Sequence, residues 1–516
     1  MIFSRRTLLA RMGALGAVAS LRWPFSSLCE ARGFDEQVSQ AKLAADPLRP
    51  QFHLLPARNW MNDPNGPIYW KGQYHMFFQY NPNAAVWGDM HWAHATSPDM
   101  IHWKHQPIAL APTPGGYDSE GCFSGSAVEH NGMATFLYTG VKNVPADRAT
   151  LHDGTHNFLE TQCLATSADP GLRKLEKLAA PVLLPPRDMK LTGFRDPCLW
   201  REGEFWYLGV GSGQSGVGGM VLLYRSNDLR QWEYLHALAS GKKNSKVTSD
   251  PVDAGEMWEC PDFFALGKKH ILLYSTERKV YWQSGELDPK ELVFHSQKSG
   301  LLDFGSFYAP KSQLDAKGRR ILWGWITETR PEAEFSAAGW AGCMSLPREL
   351  SIGDDGGLRM QALPELRHLR GTKLSWPGRN AGSDDRQASL GKMQLSSATA
   401  EIELRANSNP FELKLAAGRY DIVYISYDPS RTARELQIGK EYASLPPTTG
   451  TGLNLHLFVD GSVAECMINE HTAWTTRTYQ VPSGPLHLEV PKPGIDSIVS
   501  LDFWPIRPIS ADRLTT

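Results

Sequence analysis

The sequence predicts an all-β protein: a five-bladed β-propeller with a second β-rich domain after it. Three observations carry this. Between residues 60 and 330 apolar residues recur with period two, and long helical stretches are absent. Within that span one unit recurs five times, a short strand, a tight turn with glycine, then a strongly apolar strand. The copies are "PIYWKGQYHMFFQY", "SAVEHNGMATFLYT", "CLWREGEFWYLGV", "DFFALGKKHILLYS" and "KSQLDAKGRRILWGWI". Their turn glycines, Gly72, Gly132, Gly203, Gly267 and Gly318, stand 60, 71, 64 and 51 residues apart, a spacing suited to blades. A second echo, Ser-x-Asp-x-x-x-Trp in "SPDMIHW" (97–103) and "SNDLRQW" (226–232), with a partial copy in "SADPGL" (167–172), marks a true repeat.

The chain of 516 residues is long enough for two domains. Its 53 basic and 55 acidic residues nearly cancel, so there is no general attraction to nucleic acid or anionic membrane. No apolar run beyond the N-terminus is long enough to span a bilayer, and no membrane span is expected in the mature protein. The N-terminus differs. "SRRTLLARMGALGAVASL" sets Arg5-Arg6 before a modest apolar stretch, with no acid before Glu30. This predicts a twin-arginine signal peptide over residues 1–31, cut near Cys29–Ala31, with the Tat export machinery as partner and a periplasmic or secreted product.

Cleavage there leaves Cys122, Cys163, Cys198, Cys260, Cys343 and Cys466, scattered without metal-ligand spacing, so neither a zinc site nor a disulfide framework is expected. Free thiols suit a protein that folds in the cytoplasm before export. "MHWAHATSPDMIHWKH" holds His91, His94, His102 and His105, read as packing in an aromatic-rich region rather than a metal site. No metal or cofactor is called for.

In a propeller the inner strands run together along one channel. Before the five turn glycines stand Asp63, Ser124, Asp196, Glu259 and Tyr308, at offsets of 9, 8, 7, 8 and 10 residues. Residues at matching offsets should meet at one mouth of the channel. Asp63 sits in "NWMNDPNGPIYW", which by itself is good turn chemistry; Asp196 follows Arg195 in "GFRDPCLW", and Glu259 precedes Cys260 in "MWECPDFF". Each is weak alone. Together three acids at equivalent positions suit glycoside hydrolysis, in which one carboxylate attacks or stabilises charge and the other delivers a proton. Asp196, beside Arg195, is expected to stay ionised and to grip sugar hydroxyls. Trp60, Trp87, Trp92, Phe123, Trp258 and Trp340 adjoin these motifs; each suits blade packing, and as a group some should form an apolar wall against a sugar ring.

These residues resemble glycoside hydrolase family 32, the β-fructofuranosidases. The likeness lies in "WMNDPNG", "FFQYNP", "WG" with "MHWAHATSPDMIHW", "FSGSAV", "FRDP", "WECPDFF" and "GWAGCMSLPREL", and covers essentially everything after residue 50. It implies a nucleophile at Asp63, a transition-state stabiliser at Asp196 and a general acid/base at Glu259. It also implies that Asn62, Gln79, Trp87, Phe123, Ser124, Arg195 and Trp340 line the pocket for a terminal fructosyl unit. It further implies a C-terminal β-sandwich. "LHLFVDGSVAECMINEHTAWTTRTY" (455–479) alternates as a half-buried strand pair, departing from the family pattern at Gly461 and Glu470-His471. The propeller is expected over residues 49–365 and the sandwich over 366–516. Sucrose or a fructan is the implied substrate. A fructosyltransferase using the same triad, or a non-catalytic carbohydrate-binding propeller, are the alternatives; propeller hydrolases of arabinose or xylose polymers share the architecture without this wording.

Overall fold

The computed structural model describes residues 38–514 apart from 153–155, 377–381, 397, 431–434, 440, 446–451 and 492–493. The signal peptide expected over residues 1–31 lies outside the described residues. No described helix is long and apolar enough to cross a membrane.

Each expected hairpin forms. Its first strand is the innermost of an antiparallel sheet: β1 (Asn59–Trp70), β2 (Gly121–His130), β3 (Leu191–Glu202), β4 (Glu259–Leu266) and β5 (Phe307–Leu314). Each pairs with the strand that follows the turn. The five turn glycines have φ between +58° and +90°, and a Cβ there would meet nothing within 4 Å. Glycine is used for its backbone freedom, not for space. Successive inner strands touch, and β5 returns to β1, so the five close a ring. Two residues finish the closure: Asn59 and Trp60 pair in parallel with Trp340 and Ala341.

The Ser-x-Asp echo is one turn used repeatedly between the third and fourth strands of a sheet. Asp99 Oδ1 accepts from the N–H groups of Ile101 and His102, and Asp228 Oδ1 from those of Arg230 and Gln231. Asp169 caps its turn through Gly171, and Asp288, in a segment without the motif, through Lys290 and Glu291. Of the histidines nearby, His94 is buried and stacked on Phe77 and His75, while His102 pairs with Asp99.

The C-terminal domain is a sandwich of two sheets around Ile402, Leu415, Ile425, Leu457, Trp474 and Phe503. The segment from 455 departs from the expected half-buried pair in two ways. It forms three strands, Leu453–Asp460, Val463–Ile468 and Thr472–Arg477. The middle strand is buried throughout, because one face meets the sandwich core and the other meets the propeller. Gly461, with φ +56°, lets the hairpin approach the chain entering the propeller; a Cβ there would lie 2.8 Å from the Leu48 carbonyl. The Glu470-His471 departure is itself a turn, with Asn469 and Glu470 at positive φ.

The polar residues of that buried strand pair hold the two domains together. Asp460 accepts from the N–H groups of Gln51, Phe52 and His53 and from His53 Nδ1 (2.7 Å). His53 Nε2 lies 2.9 Å from Glu465, whose other oxygen meets Arg348 at 2.6 Å; Arg348 also meets Asp303 at 3.0 Å. Asp303 ends the outermost strand of the fourth sheet and pairs with Ala473, so that sheet runs on into the sandwich.

Burial opposes charge on the His53 imidazole, but the hydrogen bonds and charges of Asp460 and Glu465 outweigh it and raise its pKa to about 8. A pKa raised above the unfolded value of 6.5 stabilises the fold fully below that value, and the contribution is lost as pH rises through about 8. The stability difference between the native protein and His53→Gln should therefore be larger at pH 6 than at pH 9, by about 2 kcal/mol. Denaturant titrations at both pH values check it; an equal difference would mean that His53 stays neutral.

Candidate active site

All five inner strands carry one extra residue at the same place. Pairing breaks between Met61 and Pro64, Cys122 and Gly125, Arg195 and Cys198, Glu259 and Asp262, and Tyr308 and Lys311, three residues against two on the partner each time. A bulge of this kind bends the strand and re-aims its side chains. In the last three strands the residue after the break has positive φ: Asp196 (+63°), Cys260 (+48°) and Ala309 (+52°). Such strain in side-chain-bearing residues persists only where packing over-determines it. The register also corrects the expectation of three acids at equivalent positions. Glu259 aligns with Arg195 and Tyr308; Asp196 aligns with Cys260 and Asn62; Asp63 aligns with Ser124. The acids occupy three successive steps of the bulge, and no count from the turn could resolve a shift of one residue.

The structure brings the three acids into one buried cluster. Asp63 and Asp196 are fully buried and Glu259 is 2% exposed. Asp63 accepts from the Asn62 amide on Oδ1 (2.9 Å) and from the Ser124 hydroxyl on Oδ2 (2.5 Å). Asn62 is fixed in turn by the Trp60 indole N–H (2.8 Å). Asp196 Oδ2 accepts from the Cys260 backbone N–H (2.9 Å), and the Cys260 thiol lies 3.4 Å from Asp63 Oδ2 and 3.3 Å from Asp196 Oδ2. Glu259 accepts from Tyr308 on Oε2 (2.7 Å) and from Arg195 on Oε1 (3.0 Å).

Arg195, expected to act on its neighbour Asp196, also meets Glu259. Its other terminal nitrogen meets Glu160 at 2.9 Å, and Glu160 is completely buried. Sequence adjacency gave no sign of this contact, which crosses from one inner strand to the next. Glu160, Cys260 and Thr139, whose hydroxyl accepts from the Asp196 N–H (2.9 Å), were not foreseen; Tyr308 had appeared only through its offset.

Gln79 donates to the Cys122 carbonyl (2.9 Å) at the base of the cluster. Trp87 and Phe123 meet edge to face at 5.8 Å and share a group with Trp60, Phe335 and Trp325. Trp340 lies elsewhere. It is fully buried, its N–H bonds Asp46 (2.8 Å), Arg330 covers its ring at 4.5 Å, and its neighbours are Leu43, Leu55 and Val463. The aromatic group beside the site gains Trp325 and Phe335 instead; both contact Trp60 at 5.8 Å. Trp92 bonds the Phe123 carbonyl, and Trp258 stacks on Tyr274 at 3.8 Å over Gly219 and Gly241, so both serve packing.

Among the described residues two groups present atoms close enough to share a cation. In one, Asp63, Asp196 and Cys260, the thiol supplies hydrogen between the carboxylates. In the other, Glu401, Glu403 and His456 on the sandwich, the Arg370 guanidinium bonds both carboxylates at 2.5 Å.

The profile of the glycosyl hydrolases family 32 N-terminal domain matches residues 53–362, and that of the family 32 C-terminal domain matches residues 365–505. A sucrose-6-phosphate hydrolase of Escherichia coli is 38% identical over 458 residues, covering 84% of this chain and 90% of its own. Among solved structures, a family 32 β-fructofuranosidase of Bombyx mori superposes with a TM-score of 0.73 at 29% identity, covering 92% of this chain and 97% of its own. The fructan 1-exohydrolase IIa of Cichorium intybus, in complex with 1-kestose, superposes with a TM-score of 0.74 at 25% identity, covering 90% and 98%. A propeller whose inner strands carry three clustered acids, joined to a sandwich, with both domain profiles matched in order, makes this chain a member of glycoside hydrolase family 32.

Proposed function

We propose that the chain is a retaining, exo-acting β-fructofuranosidase, exported by the twin-arginine route, that releases terminal β-D-fructofuranosyl units from sucrose or fructans. The observation that carries this is Asp63, a fully buried carboxylate aimed into the cluster by Asn62 and Ser124. A nucleophile needs that fixed orientation, because attack requires near-contact alignment with the anomeric carbon. Glu259, between a phenol and a guanidinium, is the proton donor to the leaving oxygen as Asp63 attacks C2. The covalent fructosyl-enzyme is then opened by water that Glu259 activates. Asp196, oriented by the Cys260 N–H, stabilises the positive charge of the oxocarbenium-like transition state. Trp87 and Phe123 supply the apolar wall. Relatives named sucrose-6-phosphate hydrolase, raffinose invertase and fructan 1-exohydrolase support hydrolysis of a terminal fructosyl bond.

Four measurements test this reading. NMR of the first-formed fructose should show the β-anomer before mutarotation; an initial α-product would remove Asp63 from the nucleophile's role. Asp63→Asn should abolish activity on every substrate. Glu259→Gln should lose about 10² to 10⁴-fold on sucrose, yet form the covalent intermediate comparatively well from an activated fructoside, with azide speeding its breakdown. Equal losses on good and poor leaving groups, without azide rescue, would exclude Glu259 as acid/base. Changing Arg5 and Arg6 to Lys should leave active enzyme in the cytoplasm of a suitable host, and normal export would reject the twin-arginine route.

A further inference from the structure

Arg195 stands between two carboxylates. One terminal nitrogen meets Glu160 Oε1 at 2.9 Å; the other meets Glu259 Oε1 at 3.0 Å, with Nε at 3.1 Å from the same oxygen. Glu160 is fully buried on the strand Asn157–Ser167, and its second oxygen accepts from the Phe194 N–H (2.7 Å) and the Thr150 hydroxyl (3.0 Å). Both of its oxygens are engaged by protein donors, Arg195 on one and the Phe194 N–H and Thr150 hydroxyl on the other.

A guanidinium within hydrogen-bond reach of a carboxyl favours the ionised form, and a proton donor must keep its proton. With Glu259 alone, Arg195 would hold the carboxylate and discourage protonation. With Glu160 in place, the same guanidinium forms a neutral pair on the other side, and Glu259 can be protonated without leaving a buried charge uncompensated. Glu259 is also faced by Tyr308 from β5, with Arg278 and its partner Asp253 beyond it, and on the other flank by Asp63 and Asp196 across Cys260.

We propose that Glu160 is a positioning residue for the proton donor: by binding Arg195 it extends to higher pH the range over which Glu259 remains protonated and able to act. This rests on the acid/base role given to Glu259 above.

The test is the pH dependence of kcat/KM on sucrose, read on its alkaline side, where the donor loses its proton. Glu160→Gln keeps the shape and an acceptor for the Phe194 N–H but removes the charge. Its alkaline limb should move to lower pH by about one unit. Glu160→Asp keeps the charge at longer reach, and its limb should fall between the two; it also carries the test if Glu160→Gln does not fold. In single-turnover reactions of an aryl fructoside, whose leaving group needs little protonation, the first step should show no such displacement. A limb that stays in place or moves upward in both variants, or an equal shift with the aryl substrate, overturns the proposal. Glu259→Gln separates the two readings. If it abolishes the native limb while the Glu160 variants leave that limb unmoved, only this proposal fails; if the limb survives in Glu259→Gln, the acid/base assignment fails with it.

Discussion

The site depends on one extra residue in each of five inner strands. A regular strand alternates its side chains between faces, so it could present only every second residue to the channel. The shared bulge breaks that alternation at one level of the ring, and residues from three consecutive steps reach the same small volume. Asp63 meets Ser124 from the neighbouring strand, and Cys260 meets Asp196 from the strand before it. Each pair joins side chains from two different sheets. The positive φ of Asp196, Cys260 and Ala309 is the local cost, and the packed ring around them maintains it.

Around this level the charges are arranged in pairs rather than singly. Arg195 is shared by Glu160 and Glu259 in the propeller, as Arg348 is shared by Asp303 and Glu465 at the seam. Isolated buried charges are costly, and in both places each carboxylate collects additional donors from backbone or hydroxyl groups. The two networks differ in what they join. The seam ties the two domains together; the channel network ties Glu259 to residues of two neighbouring sheets.

Much of this was legible in the sequence because it is local. Hairpin turns announce themselves through glycine, and the Asp99 and Asp228 turns through a repeated wording, so the blades could be laid out from residues a few positions apart. The identities of Asp63, Asp196 and Glu259 followed from their places before those turns. What escaped is non-local. A bulge is a property of pairing and leaves no residue signature here, so the register was off by one step between strands. One partner of Arg195 is Glu160, 35 residues back and on another sheet. Val463–Ile468 reads as an amphipathic strand because Glu465 looks like a solvent-facing residue, whereas it faces His53 and Arg348. Trp325 and Phe335 sit in segments with no polar motif to draw attention to them, while Trp340 adjoins such a motif and points away from the site.

The bond between His53 and Asp460 spans 407 residues of chain. A ribosome delivers the N-terminal segment long before it delivers the strand that receives it. The inner strands can be laid down in order as they emerge, since each hairpin is local, but Gln51–His53 must wait beside the ring until the strand ending at Asp460 has been made. Loop closure over such a distance is slow relative to hairpin formation. Biogenesis should therefore end with a latch: blades first, then the sandwich growing from the edge of the fourth sheet at Asp303, and last the capture of the leading segment.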